Sequence, residues 1–439
     1  MSMNVRHRIS KIFQPSTVIS KTSNLTRPDV SSKSQRLMLE LGIIQQANPG
    51  CFHFLPLGLK SFNKLVKIVD RAMFNIGGQK VLFPTLINSK MWKRSGRLEA
   101  AGPELFQLND RHKNRYILSP THEEAASDLL SAIGPISYKN FPLRLYQISS
   151  KFRDEIKPKF GLMRCREFIM KDMYSFDVDV ESSIKTYEGV CDSYEKIFRS
   201  LNVNIVKVLG SSGTMGGNLS HEYHIKAPIG EDNLLSCNKC DYLANVELCQ
   251  NQMCPNCGED SKINIQNGIE VGHTFLLGDK YSRSLEANFI SSSGELKPFQ
   301  MGSYGLGLSR ILAASIEVLS SETEMRWPDS LAPFNVVIIP PKAGSKEDAA
   351  TKNFAETLYD QLEVQIHQLQ DNVLLDDRSS LTLGRRLIDA KRVGYRFVII
   401  INKRTLEPVP LYELNDLKKD VQLLLNETAL IDYIRQNLL

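Results

Sequence analysis

The stretch that decides the fold is KFRDEIKPKFGLMRCREF, residues 151–168. Arg153 and Glu155 stand at the end of one apolar strand, and Arg164 and Phe168 stand at the start of the next, across a basic loop. Antiparallel strands joined in this way bring Arg153 and Phe168 to the same end of a sheet. A guanidinium matches phosphate oxygens and an aromatic ring stacks on a base, which suits a nucleotide site. Taken alone, the stretch is equally typical of a charged surface hairpin.

The segments around this stretch predict an α+β domain built on an antiparallel sheet. LKSFNKLVKIVDRAMFNIGG (59–78) and VESSIKTYEGVCDSYEKIFRSLN (180–202) have the apolar spacing of helices. Further strands are predicted at QKVLFPTL (79–86), RYILSP (115–120) and REFIMKDMYSF (166–176).

Two more segments carry possible binding chemistry. In MGSYGLGLSR (301–310) three glycines allow close approach to a ligand, and Arg310 follows on a helix. The run lacks both the G-K-[ST] ending of a P-loop and the dinucleotide fingerprint, and a glycine-softened turn explains it as well. In SPTHEEAASDLL (119–130), Thr121 and Glu123 could meet a ligand ammonium, although ordinary helix capping is favoured for this segment alone.

The prolines of RWPDSLAPFNVVIIPPK (326–342) mark a domain boundary. Beyond them, short apolar strands at NVVIIP, NVLLDD and RFVIIIN alternate with helices near 346–370 and 381–393. This order predicts a small α/β domain with a largely parallel sheet.

Four of the eight cysteines form two C-x2-C pairs: Cys237 with Cys240, and Cys254 with Cys257. Four thiolates suit a closed tetrahedral zinc site, which would be structural because no position is left for water or substrate. The alternative is a loop of reduced cysteines without metal. Few basic side chains lie nearby, so the element lacks the charge of a nucleic-acid reader.

The bulk composition is that of an ordinary globular protein, with 439 residues, 42% hydrophobic residues, 23% charged residues and a net charge of +5. No apolar run approaches the roughly 20 residues that span a bilayer, so no membrane partner is expected. Residues 1–33 are basic, rich in serine and free of acidic residues before Asp29, which predicts a mitochondrial transit peptide and a location in the matrix. A disordered basic tail is the alternative.

Taken together, the segments resemble the class II aminoacyl-tRNA synthetases. FRDE…RCREF resembles motif 2 of that class, GSYGLGLSR resembles motif 3, and GGQKVLFPTL resembles motif 1, which closes on Pro84. GPELFQL, SPTHEE, IEVGHTFLLGDKYS, WPDSLAPF and LLDDR are similar to the bacterial and mitochondrial type of prolyl-tRNA synthetase. The resemblance extends from about residue 34 to the C-terminus.

The resemblance implies a class II catalytic domain at 34–331, an antiparallel sheet flanked by helices, with a four-cysteine insert at 235–262. An α/β anticodon-binding domain would follow at 332–439, where Asp377, Arg378, Arg385 and Arg386 are expected to contact tRNA. The implied substrates and partners are proline, ATP with Mg2+, tRNA(Pro) and a second copy of the chain, bound through motif 1.

The resemblance also implies a role for each site residue. Arg153 would hold the α-phosphate of ATP and the proline carboxylate, Arg310 would hold the γ-phosphate, and Arg164 would assist at the phosphates. Phe168 would stack on adenine, and Glu155 would lie beside the adenine amino group. Thr121 and Glu123 would bind the proline nitrogen, while the segment 270–273, including His273, and Gly302 would shape the rest of the proline pocket.

The chain departs from these relatives at two places. Ser303 stands where relatives often have cysteine. In addition, bacterial relatives carry a large editing domain between motifs 2 and 3, whereas Phe176–Glu270 has room for a helix, one or two strands and the cysteine element. An apolar pocket rejects a smaller substrate by only about 1–3 kcal/mol per methylene, so we expect alanine to be mischarged and not cleared in cis.

Three other interpretations stay open on the sequence alone. The chain could be a class II synthetase for threonine or serine, an inactive synthetase-like accessory subunit of a mitochondrial DNA polymerase, or a zinc-dependent nucleic-acid binder. The presence of Arg153, Glu155, Arg164, Phe168 and Arg310 argues against an inactive relative, which has no need of them.

Overall fold

The fold is described from a computed structural model of the chain, which describes residues 6–15, 32–249, 254–258, 263–351 and 353–438. Most of the segment 1–33, predicted to be a transit peptide, lies outside these ranges, and residues 6–15 are the main exception. Within the described ranges, no helix has the length and apolar character needed to cross a membrane.

The α-helices range from four to 21 residues, and most of them bury an apolar face against a sheet or another helix. In chain order they are α1 (Lys33–Glu40), α2 (Pro56–Asn75), α3 (Ser89–Arg94), α4 (Arg97–Ala100), α5 (Glu123–Ile133), α6 (Val180–Ser200), α7 (Lys280–Ser284), α8 (Leu308–Leu319), α9 (Lys346–Thr351), α10 (Phe354–Gln365), α11 (Leu383–Val393) and α12 (Glu427–Asn437).

Within the described ranges the strands form one large sheet, three small sheets and the sheet of the C-terminal domain. In chain order they are β1 (Ile44–Asn48), β2 (Cys51–Phe54), β3 (Gln79–Lys80), β4 (Leu86–Asn88), β5 (Gln107–Asn109), β6 (Arg115–Leu118), β7 (Ile136–Ser137), β8 (Leu143–Phe152), β9 (Glu167–Asp177), β10 (Ile205–Leu209), β11 (Leu219–Lys226), β12 (Asp232–Cys237), β13 (Leu243–Asn245), β14 (Ile263–Gly278), β15 (Asn288–Ile290), β16 (Leu296–Pro298), β17 (Gln300–Gly307), β18 (Val336–Ile339), β19 (Val373–Leu375), β20 (Phe397–Ile400), β21 (Tyr412–Asp416) and β22 (Val421–Leu425).

The large sheet has the strand order β11-β10-β13-β12-β14-β17-β9-β8-β3. Its centre, β14-β17-β9-β8, is antiparallel throughout, and Lys151 of β8 faces Phe168 of β9. The predicted antiparallel sheet is therefore confirmed. Arg153 directly follows the last residue of β8 and lies beside the start of β9, as predicted from the antiparallel arrangement of the two strands.

One face of this sheet packs on α2, α6 and α8, and the other face lines a cleft. The helices bury Leu65, Val69 and Met73 of α2 with Tyr194 of α6 and Leu312 of α8 in one core. Side chains alternate across a strand, so each central strand sends every second residue into the core and the others toward the cleft. The apolar helix faces thus fix the sheet and leave its opposite face free for chemistry.

Two local predictions need correction. Of the strand predicted at 79–86, Gln79–Lys80 form β3 and Leu86 begins β4, while residues 81–85 between them form no strand. Pro84 has no N–H to donate, and the N–H of Phe83 donates to the side chain of Gln147 at 3.0 Å. The region after β9 also contains more sheet than expected. Four strands, β10–β13, extend the sheet beyond β14, where one or two were predicted.

The C-terminal domain has a five-stranded sheet of order β19-β18-β20-β21-β22. The first three strands are parallel, and the last two form an antiparallel extension that the sequence did not reveal. Val336–Ile339 and Phe397–Ile400 are buried at every position, which explains their unbroken apolar sequences. The domain packs on the first one, where the indole N–H of Trp327 donates to the carbonyl of Val393 at 2.8 Å.

Candidate active site

Two adjoining cavities open over the free face of the large sheet. The larger has a volume of about 610 Å³ and the smaller about 210 Å³. Both are lined by Arg153, Met163, Glu270 and Arg310, which therefore stand at the junction. We call the larger cavity, lined by Thr121, Glu123, His273 and Ser303 among others, the amino-acid end, and the smaller one, lined by Glu155, Arg164 and Glu231 among others, the nucleotide end.

Arg153 is held at the junction by its backbone and leaves its guanidinium free. Its N–H donates to the carbonyl of Arg166 at 2.9 Å, and the guanidinium carbon lies 5.2 Å from the ring centre of Phe168. Among the described residues, no group accepts a hydrogen bond from this guanidinium. Burial and the positive charge of Arg310 lower the pKa of Arg153. Two arginines that line the same junction are suited to a multiply charged anion.

Arg310 is aimed at the junction from the first turn of α8. Its Nε donates to the carbonyl of Met163 at 2.8 Å and its Nη1 to the carbonyl of Glu270 at 2.7 Å. Although burial disfavours the charged form of Glu270, a hydrogen bond from His273 and the charges of His273 and Arg310 hold its pKa well below the usual range. The junction thus carries two guanidiniums against one ionised carboxylate.

The nucleotide end is crossed by ion pairs at the surface. Arg164 donates from Nε to Glu155 at 2.8 Å and from Nη1 to Glu231 at 3.1 Å, and Lys159 lies 2.5 Å from Glu231. Side-chain exposure is 41% for Arg164 and 36% for Glu231, so these pairs are weak and exchangeable. The hydrogen bond that Arg164 donates to Glu155 raises the pKa of Arg164. A phosphate could take the place of Glu231.

The amino-acid end is organised around a buried carboxylate. Glu123 accepts hydrogen bonds from the hydroxyls of Thr121 at 2.7 Å and Ser303 at 2.8 Å, and from Nη1 of Arg97 at 3.1 Å. Its side chain is fully covered, with Thr121 partly exposed beside it. A ligand ammonium therefore meets Thr121 first and feels the negative charge of Glu123 behind it.

A second layer supports this carboxylate. Nη1 of Arg97 also lies 3.1 Å from Glu124, and its guanidinium lies 4.5 Å from the ring centre of Trp92. Ser95 donates to Glu124 at 2.7 Å. Burial raises the pKa of Glu124, whose two oxygens share the guanidinium with Glu123. The sequence around Arg97, SGRLEA (95–100), contains no motif from which its role could be predicted.

Thr121 is held from below by buried polar residues of β8 and β9. The hydroxyl of Tyr174 accepts from the N–H of His122 at 2.7 Å and donates to Asp172 at 2.7 Å, and Asp172 pairs with Lys151 at 2.7 Å. Burial and the nearby charge of Lys151 lower the pKa of His122 to about 4, so this imidazole is neutral near pH 7. These residues fix the loop and were missed by sequence reasoning, because a polar residue within a strand has no distinctive spacing.

Two other residues, His273 and Gly302, were predicted to shape the pocket for the substrate proline, and the structure places them differently. His273 lies at the cavity wall, where Nε2 is 2.6 Å from the hydroxyl of Ser220 and Nδ1 is 3.0 Å from Glu270. Gly302 is not among the lining residues. A side chain there would collide with the hydroxyl of Tyr304, so the glycine serves packing on the helix-facing side of β17. The alternation of the strand brings Ser303 to the cavity instead.

The four cysteines of the C-x2-C pairs come together, although 250–253 and 259–262 lie outside the described residues. The sulfurs of Cys237, Cys240, Cys254 and Cys257 all lie within 4.8 Å of one another, and those of Cys240 and Cys254 are 3.6 Å apart. A tetrahedral zinc ion with Zn–S bonds of about 2.3 Å needs sulfurs about 3.8 Å apart, so the cluster fits that metal. It lies at the far end of β12 from the junction, since Cys237 pairs with Ile263 and Asp232 with Gly268.

The residues expected to contact tRNA in the C-terminal domain are mostly engaged within the protein. Arg386 is fully buried and donates to the carbonyls of Asp376 and Pro340, so its position does not favour the expected contact with tRNA. Arg378 pairs with Asp376 and Asp389. Arg385 remains half-exposed.

Two family models match separate parts of the chain. A family model of the class II tRNA synthetase core domain (G, H, P, S and T) matches residues 106–319, and a model of the anticodon binding domain matches residues 335–437. Solved structures with the same fold include a prolyl-tRNA synthetase from Giardia lamblia in complex with prolyl-adenylate, with a TM-score of 0.76 and 18% identity over 92% of this chain and 76% of that one. A second is the enzyme from Cryptosporidium parvum complexed with L-proline and AMP, with a TM-score of 0.74 and 17% identity over 92% and 74% of the two chains.

Sequence relatives are much closer. The probable mitochondrial proline–tRNA ligase of Homo sapiens is 48% identical over 406 residues, which cover 91% of this chain and 84% of the relative. The proline–tRNA ligase of Ehrlichia chaffeensis is 37% identical over 439 residues, which cover 96% of this chain and 99% of the relative. With such identity over more than nine tenths of its length, the chain belongs to the proline–tRNA ligases, a family of class II aminoacyl-tRNA synthetases.

Proposed function

We propose that the chain is a proline–tRNA ligase, which activates proline with ATP and transfers it to the 3′ end of tRNA(Pro). The observation that carries the proposal is the junction of the two cavities. There the guanidinium of Arg153 faces the cleft without a partner among the described residues, beside Arg310 and between the larger cavity with its buried Glu123 and the smaller cavity with Arg164.

In the first step an oxygen of the proline carboxylate attacks the α-phosphorus of ATP. The bond between the α-phosphorus and the bridging oxygen breaks, and pyrophosphate leaves with that oxygen. Negative charge concentrates at the α-phosphate, where Arg153 would stabilise it, while Arg310 and Arg164 would hold the outer phosphates. Phe168, which lines the larger cavity beside Arg153 at the junction, would stack on adenine, with Glu155 of the smaller cavity beside the adenine amino group. Positioning and charge suffice for this step, and no general base is required.

Proline would bind in the amino-acid end. Its ring nitrogen is cationic, and the side chain of Glu123 with the hydroxyl of Thr121 would receive it, while Arg153 would hold the proline carboxylate. His273 would close the side of the pocket. In the second step a hydroxyl of the terminal tRNA ribose attacks the carbonyl carbon of prolyl-adenylate, and AMP leaves.

Mg2+ would accompany ATP and neutralise charge on its phosphates. The carboxylates that line the nucleotide end are Glu155, Glu231, Asp232 and Glu270, and hard oxygen ligands of this kind suit the ion. Among them Glu270 lies at the junction, 3.4 Å from Nη1 of Arg310, and Glu270 and Asp232 would be the protein contacts of the ion.

A structural zinc ion would be held by the four cysteine thiolates. The sulfur positions support this proposal, and a closed set of four leaves the metal no role in the reaction. Elemental analysis of the pure protein should give one zinc per chain, and a value far below one would refute the site.

We further propose a homodimer through motif 1. Phe74, Leu82 and Leu86 are exposed by 72%, 77% and 49% in that region, which is an unusual amount of apolar surface for one short segment. A monomer in sedimentation at micromolar concentration would contradict the proposal. The division at 331/332 into catalytic and anticodon-binding domains, and function in the mitochondrial matrix, are proposed on the same relatives.

Proline-dependent pyrophosphate exchange tests the function. Across the twenty amino acids, only proline should support exchange well, and Arg153→Ala should reduce it by about 1,000-fold or more, as expected for a charge that acts in the transition state. Efficient exchange with threonine or serine would show a synthetase for another amino acid. No exchange with any amino acid would show an inactive relative.

A further inference from the structure

Residues 6–15 form an ordered segment that lies against both domains. We call this segment, RHRISKIFQP, the N-terminal strap. Its beginning runs along the edge of the C-terminal sheet: the N–H of Leu375 in β19 donates to the carbonyl of His7 at 2.9 Å, and Arg8 forms a parallel bridge with Leu375. An edge strand presents unpaired backbone groups, and the strap covers part of that edge.

The two arginines of the strap, Arg6 and Arg8, have dedicated partners on α10. Arg6 forms a bidentate pair with Asp360 at 2.8 and 2.7 Å and also reaches Glu356 at 2.8 Å. Arg8 lies 2.5 Å from the same Glu356. Bidentate arginine–carboxylate geometry is specific, which distinguishes these contacts from a basic tail resting on the surface.

Side-chain contacts continue the docking of the strap onto both domains. Ser10 donates to Asp377 from its N–H at 2.9 Å and from its hydroxyl at 2.6 Å. Ile9 and Ile12 pack against the core that the two domains share. The amide of Gln14 then donates to the carbonyl of Leu41, in the catalytic domain, at 2.9 Å.

We propose that residues 6–15 are a permanent part of the folded enzyme, a strap that braces the C-terminal domain against the catalytic domain. The basic and amphipathic sequence of this segment predicted that it belongs to a presequence at 1–33. In the structure its arginines pair with the carboxylates of α10, and its isoleucines pack against the core that the two domains share. Any processing of the N-terminus therefore stops before Arg6.

The same contacts give the strap a role in tRNA charging, a part of the inference that rests on the proposed function. A loosened C-terminal domain would present tRNA poorly to the active site, whereas proline activation needs only the catalytic domain. Loss of the strap should therefore separate the two activities.

Two measurements test the strap. The first is the N-terminal peptide of the native protein, isolated from the cell and sequenced by mass spectrometry. We expect it to begin at or before residue 6. A mature N-terminus beyond residue 15 would overturn the proposal, whatever activity the enzyme has.

The second compares Arg6→Glu with Lys11→Glu in the full chain. Both reverse one basic charge of the strap, but Lys11 has no ion pair among the described residues. Arg6→Glu should lower the melting temperature by about 2–4 °C, speed amide exchange at Leu375 and reduce tRNA charging severalfold, with pyrophosphate exchange unchanged. Lys11→Glu should do none of these. If the two variants have the same melting temperature and the same amide exchange, the strap proposal is wrong. If they melt as expected but neither variant supports proline-dependent pyrophosphate exchange, the proposed function is wrong and the strap proposal stands.

Discussion

The two ends of the cleft are built in different ways. At the amino-acid end, Glu123 has three hydrogen-bond donors and no exposed surface. At the nucleotide end, Arg164 and Lys159 are tied to Glu231 by pairs that are more than one third exposed. The first arrangement is complete before substrate arrives, whereas the second must exchange its partners for phosphates.

The difference shows where selectivity resides. A buried, hydrogen-bonded charge costs free energy to move, so the amino-acid end selects its substrate through the fixed positions of Thr121, Glu123 and Ser303. Exposed ion pairs contribute only about 0–1 kcal/mol, so the nucleotide end can close and open at little cost. We therefore expect substitutions at the amino-acid end to have larger effects, and to affect proline rather than ATP.

Glu123→Gln should have the largest effect of any single substitution that distinguishes the two ends. It removes the negative charge that receives the proline nitrogen and leaves Arg97 facing a neutral amide, so kcat/KM for proline should fall about 100-fold with a small change in the KM for ATP. Pyrophosphate exchange at varied proline and ATP measures both. Asp128→Asn, on the same helix α5 but without a contact to the cavity, is the matched control. Equal loss in both variants would mean that the helix, and not the charge, was affected.

Discrimination against alanine tests the fixed pocket by changing the substrate. Proline has two more carbons than alanine, so shape alone should favour proline by about 100-fold or more in activation. The described residues between β9 and β14 form α6, β10–β13 and part of the cysteine cluster, which are parts of the catalytic sheet and its insert rather than a separate editing domain. Alanyl-tRNA(Pro) should therefore form and persist. Rapid deacylation of it by the pure protein would contradict this prediction.

Arg97→Met should have an intermediate effect. Arg97 is a positioning residue that neutralises Glu123 and Glu124 from behind, so its loss should raise the KM for proline about 10-fold while kcat and the KM for ATP change little. Arg97→Lys should restore part of the affinity, because a cation returns. Arg94→Met, an exposed neighbour on α3, serves as control. A uniform fall in kcat with unchanged KM would indicate a structural role only.

Glu231→Gln should have the smallest effect and the opposite sign. Removing this carboxylate frees Arg164 and Lys159 for phosphate, so the KM for ATP should fall about threefold. The KM for proline should not change. Glu247→Gln, an exposed glutamate of the cysteine insert, controls for net charge. A rise in the KM for ATP would show that Glu231 assists binding and does not compete with it.

Sequence reasoning reached the residues that stand in motifs and missed those that act through packing. Arg153 and Phe168 could be placed together because an antiparallel hairpin fixes their neighbourhood, and the fold class followed from the same stretch. Arg97 and Tyr174 reach the site only through tertiary contacts, which carry no signature in spacing. Because side chains alternate along β17, Ser303 lines the cavity and Gly302 does not. The sequence alone does not give the register of β17 that determines which of the two faces the cavity.

The N-terminus shows the limit of composition most clearly. A basic, acid-poor, amphipathic segment satisfies the description of a presequence, yet Arg6 and Arg8 find Glu356 and Asp360 some 350 residues away in the chain. Composition records which charges are present. It does not record their partners, which long-range folding supplies.

Hydrogen exchange with one substrate at a time tests the contrast between the two ends most directly. Proline alone should leave exchange in the loops 155–166 and 227–231 unchanged, because its pocket is already formed. ATP with Mg2+ alone should alter exchange in both loops, as Arg164 and Lys159 leave Glu231 for phosphate. If proline reorders these loops, or ATP leaves them unchanged, the account of a fixed amino-acid end and an exchangeable nucleotide end is contradicted.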